Sequence, residues 1–365
     1  MPPQVSEDDV LGALRPIMDP DFNQSIVELG FIKQLRIDGA KVSFSIELTT
    51  PACPVKAEFE REARERVLAL EGVSEVEVTM TANTRGRNFN TELAEVLPGV
   101  KNTIAVASGK GGVGKSTVAI NLALALRDSG AVVGVLDADV YGPSLPLLVG
   151  VNGRPEVRGK QIVPHVAHGV KVMSMGFLVT DDSPVIWRGP MVHGLIQQFL
   201  TDVEWGELDY LVVDMPPGTG DAALTLTQQA PLAGAVIVTT ANDLSLIDAR
   251  KGLQMFQTVE VPVLGILENM SYFTPPDLPD RKYHIFGEGG GRRTAGELGV
   301  PFLGEIPIDP RIVEGGDSGV PIVVQAPDSA AAKVFHELAG SIARKLAVLA
   351  DRTPAIADAN ITWVT

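Results

Sequence analysis

The stretch that most constrains this chain is a glycine-rich segment, residues 108–117, which reads SGKGGVGKST. It follows a short apolar run, 103–107, and leads into residues 118–126, which are apolar on one helical face. A strand, a glycine-rich turn and a helix in this order are the context that a phosphate-binding loop needs. Because glycine has no Cβ, such a backbone bends sharply and turns several N–H groups toward an anion. The segment therefore predicts a phosphate-binding loop, and the alternative is a glycine-rich turn of purely structural use.

Every residue of this loop is a candidate nucleotide contact. Lys115 is expected to reach the β- and γ-phosphates, and the Ser116 hydroxyl to bind Mg²⁺. ATP and Mg²⁺ are therefore the expected cofactors. The full set of loop candidates is Ser108, Gly109, Lys110, Gly111, Gly112, Val113, Gly114, Lys115, Ser116 and Thr117.

Length and charge limit the classes of function that remain. A chain of 365 residues suits two domains, one of them large. The formal charge of −15 argues against broad contact with nucleic acid or anionic membrane. The acidic N-terminus does not resemble a secretory signal, and no run of apolar residues is long enough for a membrane span. A single cysteine excludes an internal disulfide and fits a reducing compartment, so we expect a cytoplasmic protein.

The hydrophobic pattern predicts two domains of different kinds. Residues 1–82 read as a small α+β unit with helices over 7–18 and 54–70 and strands over 31–37, 41–48 and 73–80. Residues 83–100 read as a linker, 101–350 as an α/β domain, and 351–365 as a loose tail. In the large domain, short continuous apolar runs alternate with helical segments, as in a doubly wound, mostly parallel sheet buried on both faces. Those runs are 103–107, 132–136, 170–175, 210–213, 235–239, 262–267 and 301–305, and a closing helix is expected over 328–349.

Carboxylates follow two of these predicted strands, and ligands of such sheets bind beyond the strands' carboxyl ends. Asp137 and Asp139 lie two residues apart on an extended segment, so they point to opposite sides and take different roles, unless they only cap a turn. Asp214 ends an apolar strand, which is the Walker B arrangement, and is expected to hold Mg²⁺ through a water. Gly218, in the turn that follows, is expected to offer its backbone N–H to the γ-phosphate.

The loop resembles the deviant Walker A motif of the MinD/ParA/ArsA/nitrogenase-reductase class, because Lys110 stands at its start. In that class the first lysine reaches across a homodimer to the partner's nucleotide. The resemblance implies an ATP-dependent homodimer in which Lys110 acts in trans. The alternative is that Lys110 is a solvated loop lysine.

Five motifs in order resemble the Mrp/ApbC family of iron–sulfur cluster carriers. They are the loop itself and the segments 137–144 (DADVYGPS), 214–221 (DMPPGTGD), 268–271 (ENMS) and 285–291 (IFGEGGG). The N-terminal unit resembles the small domain of iron–sulfur assembly factors, on residues 19–20, 25–30 and 49–54, with Glu28 where that family usually has Asp. The resemblance implies slow, switch-type ATP hydrolysis and delivery of clusters to apoproteins, with those clients and iron–sulfur assembly proteins as partners.

The same resemblance implies roles for individual residues. Asp139 is implied to position the attacking water, and Asp137 to act near the metal through water. Asn269 is implied to contact the adenine, with Pro307 and Asp309 completing the base pocket.

One departure concerns the cluster itself. The family usually carries a Cys-x-x-Cys pair soon after Glu-Asn-Met-Ser, whereas Pro275 and Leu278 stand there in this chain. A [4Fe–4S] cluster takes four ligands, usually thiolates, and a dimer of this chain holds only two cysteines, both Cys53. Cys53 precedes a helix-starting proline, where a thiol is a better metal ligand, although a buried, inert cysteine is an equal alternative. Either the cluster is bound by Cys53 with His284 or external thiols, or the protein carries none.

Two other functions remain open at this point. One is a nucleotide-switched scaffold that binds no cluster. The other is a positioning ATPase like MinD or ParA, which the C-terminus without basic residues and the negative charge disfavour.

Overall fold

The computed structural model describes residues 5–52, 55–87, 89, 91–140, 142–178 and 189–352. These residues form two compact units, one of them up to Arg85 together with Ala343–Arg352, and the other Gly86–Ile342. Cys53 and the 353–365 tail lie outside the described residues. No helix in the described part of the chain is long and apolar enough to cross a membrane.

The first unit contains a three-stranded sheet with two helices. Its elements are α1 (Glu7–Leu14), β1 (Met18–Asp19), β2 (Gln24–Ser25), β3 (Ile32–Asp38), β4 (Lys41–Leu48), α2 (Lys56–Leu68) and β5 (Glu75–Ala82). The sheet order is β3-β4-β5, with β3 antiparallel and β5 parallel to β4. In β4, Val42, Phe44, Ile46 and Leu48 alternate along the strand and are all buried in the core of this unit, because successive strand side chains point to opposite faces.

The first helix is shorter than the apolar spacing predicts. It begins with a capping box between Ser6 and Asp9 and ends at Leu14 instead of reaching Met18. Pro16 explains the early end, because proline has no N–H to donate to the preceding turn. Met18 instead pairs with Ser25 in the short β1–β2 ladder.

The second unit contains the large sheet. Its strands are β6 (Val100–Ser108), β7 (Val133–Asp137), β8 (Glu156–Arg158), β9 (Gln161–Val163), β10 (His165–Ala167), β11 (Val170–Ser174), β12 (Leu208–Asp214), β13 (Leu232–Thr239), β14 (Val263–Glu268) and β15 (Phe302–Glu305). Its helices are α3 (Thr91–Ala94), α4 (Lys115–Asp128), α5 (Leu145–Val149), α6 (Gly189–Thr201), α7 (Asp221–Gln229), α8 (Asp243–Thr258), α9 (Gly290–Leu298), α10 (Pro310–Ser318) and α11 (Ile322–Gln325). The last helix, α12 (Ala330–Arg352), begins here and runs past the end predicted for it.

The sheet order is β10-β11-β7-β12-β6-β13-β14-β15, and every neighbouring pair is parallel except β10 with β11. The predicted α/β class with a mostly parallel sheet is thus confirmed. The antiparallel edge strand β10 and the separate β8–β9 hairpin were not predicted, because each is only three residues long. The predicted linker also contains α3, and β6 begins inside it at Val100.

The central strands are buried on both faces. All residues of β7 and β13 are buried, as are the last seven of β6. Uninterrupted burial along a strand requires cover on both sides, which the helices supply. In this arrangement the carboxyl ends of β6, β7, β12 and β14 carry the four motifs at one edge of the sheet.

Candidate nucleotide site

The glycine-rich loop connects β6 to α4, as its sequence context predicts. Gly112 and Gly114 have φ values of 81° and 80°, in the left-handed region that favours glycine. Gly114 is the N-cap of α4, and no side chain caps the first turn of this helix. The uncapped N–H groups and the positive dipole end of α4 therefore suit an anion.

Gly109 is required by the helix packed behind the loop. A Cβ at this position would collide with the backbone carbonyl group of Asp248 in α8. The Ser108 hydroxyl also donates to the Lys110 carbonyl at 2.9 Å, which closes the start of the loop. The loop conformation is thus fixed by a hydrogen bond within the loop and by close packing against α8.

Lys115 is a buried lysine, with its side chain only 6% exposed. Its Nζ lies 2.5 Å from Asp214 Oδ1 and 3.9 Å from Asp139 Oδ2. The first residue of α4 and the last residue of β12 are thus linked by an ion pair. Three predicted site residues, from three separate motifs, therefore lie in one buried cluster.

Asp214 retains an unused oxygen. Its Oδ2 is buried and has no hydrogen-bond partner within the described residues, and the Ser116 hydroxyl lies close enough to lower the pKa of this carboxyl. Burial raises the pKa of Asp214, and the Lys115 ammonium opposes that rise. A carboxylate oxygen without a partner beside a hydroxyl is a donor set that fits Mg²⁺, which prefers hard oxygen ligands and completes its shell with phosphate and water.

Asp137 is completely buried and saturated with hydrogen bonds. Oδ1 accepts from the Asp139 N–H at 3.0 Å, and Oδ2 accepts from the N–H groups of Ser144 and Leu145, both at 3.2 Å. The Ser174 hydroxyl donates to Oδ2 at 2.9 Å. The carboxylate therefore organises the turn that carries Asp139, and its predicted role toward the metal stays a prediction.

Burial and the nearby Asp214 charge raise the pKa of Asp137 to about 7. The hydrogen bonds from Leu145, Asp139 and Ser174 oppose this rise but do not cancel it. The Asp214 charge acts on Asp137 because the two residues are register partners on the neighbouring strands β12 and β7.

Gly218 has φ of 81°, and its N–H donates to the Ser108 carbonyl at 3.0 Å. The predicted contact of this N–H with a γ-phosphate would therefore replace an existing hydrogen bond to the phosphate loop. The turn within residues 214–221 and the phosphate loop are thus directly connected by a hydrogen bond.

A cavity of about 380 Å³ adjoins the phosphate loop. Asn269, Pro307 and Asp309, the three residues predicted to contact the base, all line it, together with Gly114 and Thr117 of the loop. Asn269 donates one Nδ2 hydrogen to the Val113 carbonyl at 2.8 Å, so its Oδ1 and its second N–H remain for a ligand. An acceptor there matches the exocyclic amino group of adenine.

The opposite wall of this cavity was not predicted from the sequence. It is apolar and comes from α5 and α10, through Leu147, Leu148, Ile312 and Val313. The signal was present in the apolar run of α5, which directly follows the 137–144 motif. Asp137 accepts from the first N–H groups of α5, so the phosphate side and the base side of the site share a support.

The chain is similar to proteins of known families over most of its length. The family described as NUBPL iron-transfer P-loop NTPase matches residues 99–343, and the family described as iron-sulfur cluster assembly protein matches residues 7–79. The chain belongs to the NUBPL iron-transfer P-loop NTPase family. The resemblance inferred from the motifs is thus confirmed.

Individual relatives agree with this family. The chain is 53% identical to an iron-sulfur cluster carrier protein of Synechocystis sp., over 95% of this chain and 99% of that one. It is 50% identical to the chloroplastic Fe-S cluster assembly factor HCF101 of Arabidopsis thaliana, over 94% of this chain and 65% of that one. Among solved structures, a nucleotide-binding protein of Archaeoglobus fulgidus in complex with ADP is 40% identical, covers 67% of this chain and 95% of its own, and has a TM-score of 0.57.

For a P-loop NTPase of this family, the position of Lys110 matters. Its side chain is half-buried and makes no ion pair with any described carboxylate, whereas its carbonyl is held by Ser108. The predicted role of Lys110 in trans stays a prediction.

Of the two residues predicted as possible iron–sulfur cluster ligands, Cys53 and His284, the structure describes His284. Cys53 lies outside the described residues, and Pro275 and Leu278 occupy the place of the family's usual cysteines. His284 Nδ1 is buried and has no hydrogen-bond partner among the residues that the structure describes, and its Nε2 is 3.7 Å from Glu288 Oε1. In the described ranges, no group of three or more His, Cys, Asp or Glu side chains is arranged to hold a metal ion.

We predict that Gly109→Ala destabilises the protein, because the new methyl group would force α8 away from the loop. The expected loss is about 1–3 kcal/mol in the free energy of unfolding, measured by urea denaturation. Gly111→Ala is the matched control, since a Cβ at Gly111 meets no atom within 4 Å. Equal stability of the two variants would contradict the proposed close approach of α8.

The raised pKa of Asp137 predicts that Mg²⁺ and nucleotide displace a proton when they bind. Below about pH 7 this carboxyl is protonated in the nucleotide-free protein, whereas a nearby divalent cation favours the ionised form. The affinity for Mg–ATP should therefore fall as the pH is lowered, by up to about tenfold per pH unit below 7 for one displaced proton. Calorimetric titration in two buffers of different ionisation enthalpy counts the released protons. Asp137→Asn should remove this release, and an unchanged release in that variant would assign the proton to another group.

Proposed function

We propose that this protein binds and slowly hydrolyses ATP with Mg²⁺ as a homodimer, and that it delivers iron–sulfur clusters to apoproteins. The observation that supports ATP binding is the buried cluster of Lys115, Asp139 and Asp214 at the phosphate loop, which a cavity adjoins. The names of the relatives support the delivery of iron–sulfur clusters.

The residues divide the chemistry among them. Lys115 and the loop N–H groups hold the phosphates, while Ser116 and Asp214 hold Mg²⁺, which neutralises phosphate charge when bound. Asp139 is placed beside Lys115 by the turn that Asp137 holds, and we assign it to orienting the attacking water. When a γ-phosphate binds, the Gly218 N–H exchanges its hydrogen bond to the Ser108 carbonyl for a hydrogen bond to the phosphate.

The second candidate is a nucleotide-switched scaffold without a cluster. It is favoured by one observation, that Pro275 and Leu278 replace the usual ligand pair in a chain with a single cysteine. Both candidate functions use the same nucleotide site, so they differ only in whether the protein carries an iron–sulfur cluster.

Lys110 and Lys115 are expected to behave differently when each is replaced by alanine. Lys115→Ala should weaken ATP binding at least about 100-fold, because it removes the phosphate partner and leaves Asp214 buried without its cation. Lys110→Ala should retain ATP binding in equilibrium titrations but lose at least about tenfold in hydrolysis rate, as expected for a cation supplied in trans.

A mixture of the two variants tests the trans arrangement directly. A mixed dimer combines a Lys110→Ala subunit, which binds ATP, with a Lys115→Ala subunit, which still offers Lys110. Hydrolysis by the mixture should exceed that of either variant alone. If Lys110→Ala hydrolyses ATP at the wild-type rate, the trans role is wrong, although ATP binding through Lys115 is not affected by that result.

Anaerobic reconstitution with iron, sulfide and glutathione separates the two candidate functions. A carrier should develop the visible absorption of thiolate-to-iron bonds, and Cys53→Ala should lose most of it, because the dimer then has no protein thiolate. His284→Ala shows whether an imidazole contributes. A wild-type protein that binds ATP but gains no visible absorption would favour the scaffold.

A further inference from the structure

Glu268 is a fully buried carboxylate that the predicted chemistry does not use. It is the last residue of β14, and its exposure is 0%. Oε1 accepts from the Ser271 hydroxyl at 2.5 Å, and Oε2 accepts from the Gly291 N–H at 2.6 Å. Both oxygens are therefore engaged, and they bind two chain segments that are twenty residues apart.

The first of these segments is a strained turn. Met270 has φ of 54°, a left-handed conformation that a residue with a side chain adopts only when its surroundings hold it there. The Ser271 bond to Glu268 closes this turn. Asn269 N–H donates to Thr239 at 2.7 Å and Ser271 N–H to Ile306 at 2.9 Å, so the turn is tied to both neighbouring strands.

The second segment leads into α9. Gly291 belongs to the first turn of that helix, whose N–H groups have no intrahelical partner. No side chain near the helix start caps them, and Glu268 takes this role from β14. A negative charge at a helix N-terminus is also favourable. A Cβ at Gly291 would lie 3.0 Å from Glu268 Oε2, so glycine permits this close approach.

Both segments contribute to the base cavity, whereas Glu268 does not line it. Asn269 and Met270 come from the strained turn, and Phe286 lies five residues before Gly291. The phosphate loop reaches the same cavity through Gly114 and Thr117 but makes no hydrogen bond with Glu268. Glu268 thus supports the nucleoside side of the site directly, and it is connected to the phosphate loop only at one remove, through the hydrogen bond from Asn269 to the Val113 carbonyl.

We propose that Glu268 is a positioning residue that sets the affinity for the nucleoside part of the ligand and not for its phosphates. This inference rests on the proposed binding of ATP. It predicts that the contribution of adenosine to binding is lost when Glu268 is removed, while the phosphate loop continues to bind a phosphate chain.

The test compares two ligands by calorimetric titration of the full chain in the presence of Mg²⁺: ATP and inorganic tripolyphosphate. Glu268→Ala should weaken ATP binding about tenfold or more, since a turn and a helix start each lose a charge-assisted hydrogen bond. Tripolyphosphate should bind within about twofold of its wild-type affinity, a change that lies below a single hydrogen bond.

Glu268→Gln provides the conservative variant. Its carbonyl oxygen accepts from the Gly291 N–H, and its amide donates to the Ser271 oxygen, because a hydroxyl is both donor and acceptor. ATP binding by this variant should therefore recover to within about threefold of wild type.

Gly291→Ala tests the same contact from the other side, with a matched control in the same helix. The added methyl group would press on Glu268, whereas a Cβ at Gly296 meets nothing within 4 Å. Gly291→Ala should reproduce the selective loss of ATP affinity, and Gly296→Ala should bind both ligands like wild type.

The outcomes are distinct. Equal weakening of ATP and tripolyphosphate by Glu268→Ala and Gly291→Ala, or no weakening of either ligand, would overturn the assignment of Glu268. If wild-type protein binds ATP no more tightly than tripolyphosphate, the base cavity and Glu268 lose their role together. If wild-type protein binds neither ligand, the proposed ATP function itself has failed.

Discussion

The buried ion pair between Lys115 and Asp214 is the interaction on which the site depends. Removing one partner of such a pair costs about 3–5 kcal/mol, because the other charge is left without compensation in a poorly polarisable interior. The pair joins the loop after β6 to the end of β12 and leaves Asp214 Oδ2 without a partner. A magnesium-bound phosphate chain would give each group a new partner, since Asp214 can bind the cation and Lys115 can pair with the phosphates. The Lys115–Asp214 pair thus holds the site together through the same two charges that a magnesium-bound phosphate chain would separate, and this gives a structural reason for binding to be coupled to movement.

The parts of this site that the sequence predicted are those encoded by neighbouring residues. The phosphate loop follows from glycines at fixed spacing, since Gly112 and Gly114 adopt the left-handed conformation that their type favours. Asp137 and Asp214 were recognised because each ends an apolar strand, and parallel strands bring their carboxyl ends to one edge. The class of the sheet followed from continuous apolar runs, whereas the three-residue strands β8, β9 and β10 are too short to leave a periodic signal.

What the sequence did not predict depends on residues that are distant along the chain. The apolar wall of the base cavity combines α5 with α10, more than 150 residues later. The collision that excludes a side chain at Gly109 involves Asp248. Glu268 was noticed only as part of a motif, and its two bonds become visible when Ser271 and Gly291 are brought to the same carboxylate. Spacing rules describe a loop or a strand, but they do not say which elements meet around it.

The segment that replaces the usual cysteine pair is itself well ordered by contacts. Phe273 and Tyr283 exchange backbone hydrogen bonds of 2.9 and 2.8 Å, and the Lys282 ammonium lies 4.0 Å from the ring centre of Tyr272. The segment is therefore a loop closed by backbone hydrogen bonds between its two ends. In the proposed function, protein thiolates come from Cys53 alone, one from each subunit, so a four-thiolate cluster needs two copies and two external thiols. Nucleotide that brings two subunits together would then also control whether a cluster is held, and cargo would be linked to ATP through the dimer even without the usual ligand pair.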